Sequence, residues 1–96
     1  MAENKYQAKL IKTLYATFPG CIVLKNDPAH LQGMLDLTIL WGPHWASLEV
    51  KDSHKAPHRP NQDYYVRQLD DMSFAAFIYP ENEAEVLSAL QQAFAS

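Results

Sequence analysis

Apolar residues recur at every fourth position near the start of the chain. The residues with this spacing are Tyr6, Leu10, Leu14 and Phe18. Side chains four positions apart lie on one face of a helix, so the pattern predicts an amphipathic helix over residues 3–17. The dipeptide Pro19-Gly20 follows, and we expect it to end this helix because proline and glycine disfavour helical backbone.

Four short apolar runs farther along the chain have the length and composition of β-strands. They are residues 21–25, 34–40, 45–50 and 74–79. Residues 26–33 read as a loop between the first two runs. The second and third runs are separated by residues 41–44 (WGPH), a turn-forming segment, and this arrangement predicts a β-hairpin.

Two further helices are predicted on either side of the last strand. A helical pattern over residues 61–71 places Tyr65 and Leu69 on one face. The final helix follows Pro80, and its inner face is expected to carry Val86, Leu87, Leu90 and Phe94.

The predicted order of elements is therefore α, β, β, β, α, β, α. A helix that connects two strands forms a right-handed crossover, so we expect strands 45–50 and 74–79 to be parallel in a mixed sheet. Helices on both faces of that sheet give a small α/β or α+β fold. At 96 residues, without a repeat or a linker, residues 1–96 are expected to form one domain.

Polar residues interrupt both arms of the predicted hairpin. Asp36 lies in the first arm and Glu49 in the second. In a hairpin centred near residues 42 and 43, residue n pairs with roughly residue 85 − n, which places Asp36 opposite Glu49. Two opposed carboxylates in apolar surroundings repel each other and need a partner or a metal ion.

Lys51 adds a cation to this face of the hairpin, because residues two apart in a strand point the same way. Mg²⁺ is normally held by one or two carboxylates, water molecules and a substrate phosphate. A metal ion between Asp36 and Glu49, with Lys51 beside it, would have the parts needed for phosphodiester hydrolysis. The alternative is that Glu49 and Lys51 form an ordinary ion pair at the end of a strand.

The same residues resemble a known family. Asp36, then twelve residues, then Glu49-Val50-Lys51 is similar to the D…ExK signature of the PD-(D/E)XK nuclease superfamily, and the element order resembles its restriction-endonuclease-like αβββαβ core, here with a C-terminal helix. More narrowly, small VRR-NUC type nucleases of phages and bacteria have motifs similar to residues 33–36 (GMLD), 48–51 (LEVK) and 61–62 (NQ). The resemblance covers about residues 3–90. It departs from the family at Leu35, where proline is usual, and in the loop of residues 52–60, which is not rich in glycine.

The resemblance implies roles for individual residues. Asp36, Glu49 and the backbone carbonyl of Val50 would bind Mg²⁺ or Mn²⁺, and Lys51 would orient or activate the attacking water and stabilise the pentavalent phosphate. Gln62 would position Lys51 or a phosphate, and the alternative for Gln62 is a polar residue that merely opens its helix.

Further residues are candidates near this site. Glu3 matches an acidic residue that contacts the metal through water in this family, and the alternative is a first-turn acid favoured by the helix dipole. Lys55, His58 and Arg59 lie in the loop after the site, where they would suit contacts with a phosphate backbone, or form a merely exposed polar loop. Lys9 would contact DNA from the first helix, and the alternative is a solvated helix face.

The charge balance limits how the chain would bind DNA. The net charge is −3, but all eight Lys and Arg lie within residues 1–67. A chain with so little basic surface is expected to act on DNA as a homodimer, and dimers of related resolvase-like nucleases make branched or flap DNA a plausible substrate. The alternative is a DNA-structure-binding module that does not cut, or a subunit of a larger nucleic-acid-processing complex.

The apolar run lengths, the N-terminal residues and the single cysteine indicate where in the cell the protein is expected. No apolar run approaches the ~18 residues of a membrane span, and the polar N-terminus does not resemble a secretory signal. The lone cysteine, Cys21, is expected to be a buried small hydrophobe in a reducing cytoplasm, that of a bacterium or a phage-infected cell.

Overall fold

The helices and strands follow the predicted order. The computed structural model describes residues 2–27 and 29–96, without the side chains of residues 2 and 3. Its elements are α1 (Ala2–Thr17), β1 (Ile22–Lys25), β2 (Leu37–Trp41), β3 (His44–Val50), α2 (Gln62–Met72), β4 (Ala75–Ile78) and α3 (Glu83–Ala95). The described part of the chain is an α+β fold with three helices and one four-stranded mixed sheet, which confirms the predicted fold class.

The sheet has the strand order β1-β2-β3-β4. The pairs β1/β2 and β2/β3 are antiparallel, and β3/β4 is parallel, as the strand-helix-strand pattern predicted. In the hairpin, Leu37 pairs with Leu48 and Trp41 with His44. The predicted register, in which paired residue numbers add up to 85, is therefore confirmed. The turn is shorter than predicted, because Trp41 and His44 still pair and only Gly42 and Pro43 connect the strands.

The first arm of the hairpin begins later than the apolar run indicated. The prediction placed a strand from residue 34, but β2 begins at Leu37. The backbone N–H of Met34 instead closes a turn onto the carbonyl of Leu31, at 3.1 Å. Asp36 therefore lies one residue beyond the last hairpin pair, where its side chain is available to the neighbouring strand.

The hydrophobic core lies on one face of the sheet, beneath α1 and α3. Its buried members include Leu10 and Leu14 of α1, Phe18 directly after α1, the sheet residues Leu37, Ile39, Leu48, Val50 and Ile78, and the α3 residues Val86, Leu90 and Phe94. Leu87 and Tyr6 are partly buried against this cluster. Cys21 is buried, as predicted, and burial raises the pKa of its thiol.

The opposite face of the sheet carries the polar positions. α2 packs on this face against β3 and β4. Because side chains alternate along a strand, Leu48 and Val50 enter the core while Ser47 and Glu49 point towards the α2 side. Among the described residues, no helix is long and apolar enough to cross a membrane.

Candidate active site

A cleft of about 250 Å³ lies at the carboxyl end of β3. The predicted residues Asp36, Glu49, Lys51 and Gln62 all line it, together with Met34 and Arg59. The hairpin register places Asp36 beside the end of β3, and the start of α2 contributes Gln62. Residues that are far apart in the sequence thus share one cleft because the sheet and the first turn of α2 meet there.

Glu49 and Lys51 are both buried in this cleft, with exposed fractions of 3% and 4%. Lys51 Nζ lies 3.7 Å from Glu49 Oε2. A buried charge is costly unless it is paired and hydrogen-bonded, so each of these side chains depends on the other and on the polar groups around them. This burial distinguishes the pair from the solvated ion pair that the sequence also allowed.

Gln62 connects the two charged groups. Its amide Nε2 donates to Glu49 Oε2 at 2.7 Å, and its Oε1 accepts from Lys51 Nζ at 2.9 Å. The same Oε1 accepts from the backbone N–H of Arg59 at 2.8 Å. These bonds orient the amide so that its oxygen faces the cation and its nitrogen faces the carboxylate. Gln62 is the first residue of α2 and is nevertheless buried, so its side chain serves the cleft and does not cap its own helix.

Asp36 is held at the rim of the cleft by the backbone of β3. Its Oδ2 accepts a hydrogen bond from the Val50 N–H at 2.9 Å. The backbone carbonyl of Asp36 accepts from the Asn26 N–H at 2.8 Å, and the Asn26 side chain donates to the carbonyl of Leu35, also at 2.8 Å. Asn26 therefore positions the segment that carries Asp36. Sequence reasoning missed Asn26, because a polar residue just after a strand carries no signal of a distant partner.

The donor set of the cleft suits a hard divalent cation. Asp36 and Glu49 supply carboxylate oxygens, which Mg²⁺ and Mn²⁺ prefer, and these ions complete their coordination with water and phosphate. Within residues 2–27 and 29–96, no group of three or more His, Cys, Asp or Glu gathers as a metal site. The predicted contact of Glu3 lies outside the described residues, since that side chain is not described.

A close approach between two loops brings Asp36 and Gln62 together. Gly33 has a φ of +89°, and a Cβ at this position would lie 2.6 Å from Asn61 Cβ. Asn61 itself has a φ of 71° and directly precedes α2. Both conformations are left-handed, which glycine adopts freely and asparagine tolerates. In the sequence, Gly33 and Asn61 are singled out only by family resemblance, and their contact has no local signature.

The loop between β3 and α2 is tied down at several points. Lys51 Nζ donates to the Pro57 carbonyl at 3.2 Å. His58 Nδ1 lies 2.8 Å from Asp63 Oδ1, and its ring stacks on Phe77 with centroids 4.0 Å apart.

Another contact anchors this loop to the turn between β4 and α3. His54 Nδ1 lies 2.8 Å from Glu81 Oε2, and this hydrogen bond is the main cause of a lowered pKa for the Glu81 carboxyl.

The predicted DNA-contacting residues are distributed differently. Arg59 lines the cleft, within reach of a ligand bound there. His58 is exposed, and its ring is engaged by Asp63 and Phe77. Lys9 and Lys55 are exposed side chains and are not among the described residues that line the cleft. The structure thus brings together the predicted catalytic set and Arg59, and leaves Lys9, Lys55 and His58 outside the cleft lining.

Comparisons with known proteins add no further assignment. No family model, curated protein or solved structure matches this chain. The functional interpretation consequently depends on the residues of the cleft and their chemistry.

Proposed function

We propose that this protein is a Mg²⁺- or Mn²⁺-dependent nuclease that hydrolyses DNA phosphodiester bonds. The observation that carries the proposal is the convergence of Asp36, Glu49 and Lys51 with Gln62 in one cleft. Two oxygen donors for a hard cation and a buried amine for a phosphate are the groups that this reaction requires.

The metal ion would be held by the carboxylates of Asp36 and Glu49 and by the Val50 carbonyl. When bound, it would polarise the phosphoryl group and lower the pKa of a coordinated water. The backbone N–H of Val50 holds Asp36 Oδ2 by a hydrogen bond, so this carboxylate is positioned before any ligand arrives.

Lys51 supplies the positive charge for the reaction. Its Nζ donates to Gln62 Oε1 and to the Pro57 carbonyl, so its third N–H would donate to the attacking water or to a phosphate oxygen, on which negative charge grows as the water oxygen bonds to phosphorus. One P–O ester bond then breaks, the attacking water gives up a proton to solvent, and the departing sugar oxygen takes up a proton from solvent. Gln62 Oε1 holds Nζ at 2.9 Å, which makes Gln62 a positioning residue for Lys51.

DNA is the proposed partner and Arg59 the cation best placed to contact its backbone. The small basic surface supports a homodimer, in which two clefts would meet two strands, as on branched or flap DNA. We assign the protein to a reducing cytoplasm, bacterial or of a phage-infected cell, which is consistent with its one buried cysteine. Sedimentation equilibrium tests the dimer, and a monomer at all concentrations would contradict it.

A second function is supported by the net charge of −3. An acidic chain suits a non-cleaving DNA-structure-binding module, or a subunit of a larger nucleic-acid-processing complex, in which the buried ion pair is structural. This alternative predicts DNA binding that does not depend on Mn²⁺ and no loss of phosphodiester bonds.

A cleavage assay separates the two functions. Wild type is incubated with Mn²⁺ and labelled single-stranded, duplex, flap and four-way DNA, and products are resolved on denaturing gels. We expect cleavage of at least one substrate, abolished by EDTA and reduced at least about 100-fold by Lys51→Ala, since removing one transition-state donor costs this much. Lys25→Ala, at an exposed lysine outside the cleft lining, is the control. If every substrate stays intact, or if Lys51→Ala cuts as well as wild type, the nuclease proposal fails.

A further inference from the structure

A larger pocket, of about 550 Å³, adjoins the candidate active site. It lies between the loop that precedes β2, the α2 face of the hairpin, and α2 itself. Four side chains give it an apolar lining: Leu31, Met34, Trp45 and Leu69. Its volume is in the range of pockets that hold small organic groups.

Three polar side chains of this pocket, those of Asn26, Thr38 and Ser47, are hydrogen-bonded within the protein. Ser47 Oγ donates to the Leu37 carbonyl at 2.9 Å. Thr38 Oγ1 and the amide of Asn26 bond each other, at 3.0 and 3.2 Å. These three side chains therefore present mainly van der Waals surface to a ligand. They suit a flat apolar group that binds by stacking.

The pocket is adjacent to the cleft of the candidate active site. Met34 lines both. Ser47 in the pocket and Glu49 in the cleft lie on the same face of β3, about 7 Å apart at the strand rise of ~3.3 Å per residue. A group bound in the pocket is therefore one sugar-sized linker away from a phosphate bound beside Glu49.

The side chains that line the pocket favour an uncharged group over a phosphate, since His30 is the one basic side chain among the described lining residues. Asp27 is on its rim, with Oδ1 held by the Ala29 N–H at 2.9 Å. Among the described residues that line the pocket there is no lysine or arginine. These side chains suit the uncharged part of a nucleotide better than its phosphate.

We infer that this pocket holds an unpaired nucleobase, stacked on Trp45, from the nucleotide next to the scissile phosphate. The inference rests on the proposed function and specifies its substrate class. A base inside a duplex cannot leave its stack without cost, whereas a base in a single strand, flap or branch is free to enter. Because every base has a face that can stack on an aromatic ring, we expect little preference among the four bases.

Metal-free binding tests this inference without requiring cleavage. Trp41→Phe leaves Trp45 as the one indole, and its fluorescence is titrated with a short single-stranded oligodeoxythymidylate at fixed salt. The comparison strand is an oligonucleotide of the same length made of abasic sugar-phosphate units. The affinity of wild type for both strands is also measured by fluorescence anisotropy. We expect quenching by the base-bearing strand and at least about fivefold weaker binding of the abasic strand, since stacking one base on an aromatic side chain supplies such a difference.

Variants in the pocket sharpen the test. Trp45→Ala and Leu31→Ala are expected to remove most of the preference for the base-bearing strand, while Trp45→Phe keeps a stacking surface and retains it. Tyr64→Ala, at an exposed aromatic residue outside the pocket, is the control. Equal affinity for the two strands, binding of neither, or a preference that survives Trp45→Ala would overturn the inference.

The outcome is distinguishable from failure of the nuclease proposal. Metal-dependent cleavage with equal binding of both strands would contradict the nucleobase pocket and support the nuclease proposal. A base preference without cleavage of any DNA would leave the pocket and favour the non-cleaving alternative.

Discussion

Gln62 accepts a hydrogen bond from Lys51, with 2.9 Å between Oε1 and Nζ. Gln62 is the first residue of α2, Lys51 directly follows β3, and both are buried. Because Gln62 also donates to Glu49, the first turn of α2 determines how the side chains of Glu49 and Lys51 are oriented. The position of α2 on the sheet is thus part of the candidate active site.

Removing the Gln62 amide is expected to destabilise the protein. Gln62→Ala leaves Lys51 Nζ, Glu49 Oε2 and the Arg59 N–H each short of a hydrogen bond, which we expect to cost about 1–3 kcal/mol. Urea unfolding gives the change in free energy. Gln68→Ala, in the same helix, removes an amide bonded only to the exposed Tyr64 hydroxyl and should change stability by less than about 0.5 kcal/mol. Equal effects of the two variants would show that the Gln62 network contributes nothing.

Metal binding should raise thermal stability through Asp36. Mn²⁺ at about ten times its dissociation constant is expected to stabilise wild type by roughly 1.4 kcal/mol, seen as a higher Tm. Asp36→Asn removes the charge but keeps an acceptor for the Val50 N–H, so the apo protein folds and the Mn²⁺ effect is lost. Asp70→Asn is the matched control, since Asp70 Oδ1 likewise accepts from a backbone N–H, that of Ala75, at 3.0 Å. A Tm rise in Asp36→Asn as large as in wild type would contradict this assignment.

Gly33 is required both for its left-handed backbone and for its close contact with Asn61, whereas Gly20 has only the left-handed backbone. Both have a φ of +89°, but a Cβ at Gly20 meets nothing within 4 Å, whereas one at Gly33 meets Asn61 Cβ at 2.6 Å. Each change to alanine incurs the cost of a left-handed backbone, about 1 kcal/mol or more. We expect Gly33→Ala to lose about 1 kcal/mol beyond Gly20→Ala, and to weaken the Mn²⁺-dependent rise in Tm, because the start of α2 must move. Denaturant titrations of both variants measure this, and identical losses would refute the steric part.

The Tyr6 hydroxyl makes the free energy of unfolding depend on pH in the alkaline range. Its hydroxyl donates to Glu83 Oε1 at 2.7 Å, and burial, followed by this bond and the Glu83 charge, raises the pKa of Tyr6 far above its ordinary value of 10.0. A raised pKa in the folded state stabilises the protein below pH 10 and ceases to do so as the pH rises further. At pH 7, Tyr6→Phe should cost about 0.5–1.5 kcal/mol.

Measurements of unfolding free energy from pH 7 to about pH 11 test the sign of this effect. The advantage of wild type over Tyr6→Phe should shrink above pH 10, because unfolding then releases a proton that the folded hydroxyl retains. Tyr64→Phe, at an exposed tyrosine, controls for the loss of one hydroxyl. An advantage that grows with pH would contradict the assignment.

Local patterns in the chain determined the elements and the hairpin register. Apolar spacing of four predicted α1. Two apolar runs joined by a turn centred near residues 42 and 43 predicted the register that places Asp36 opposite Glu49, and the observed pairs follow this register. These features depend on residues close in sequence, whose geometry is set by helix and strand periodicity. The strand-helix-strand order likewise predicted that β3 and β4 are parallel, because crossovers of this kind have one hand.

Only the tertiary structure decided how the site is assembled. The start of β2 depends on turn hydrogen bonds that no apolar pattern reveals. The bonds from Gln62 to Lys51 and Glu49 depend on where α2 packs on the sheet. The contact of Gly33 with Asn61 depends on the close approach of the loop before β2 to the loop before α2. The pocket at Trp45 exists because α2 packs on β3 and β4 and leaves part of the hairpin face uncovered. Such relationships join residues distant in the chain, and packing of the whole domain, not local periodicity, sets their distances.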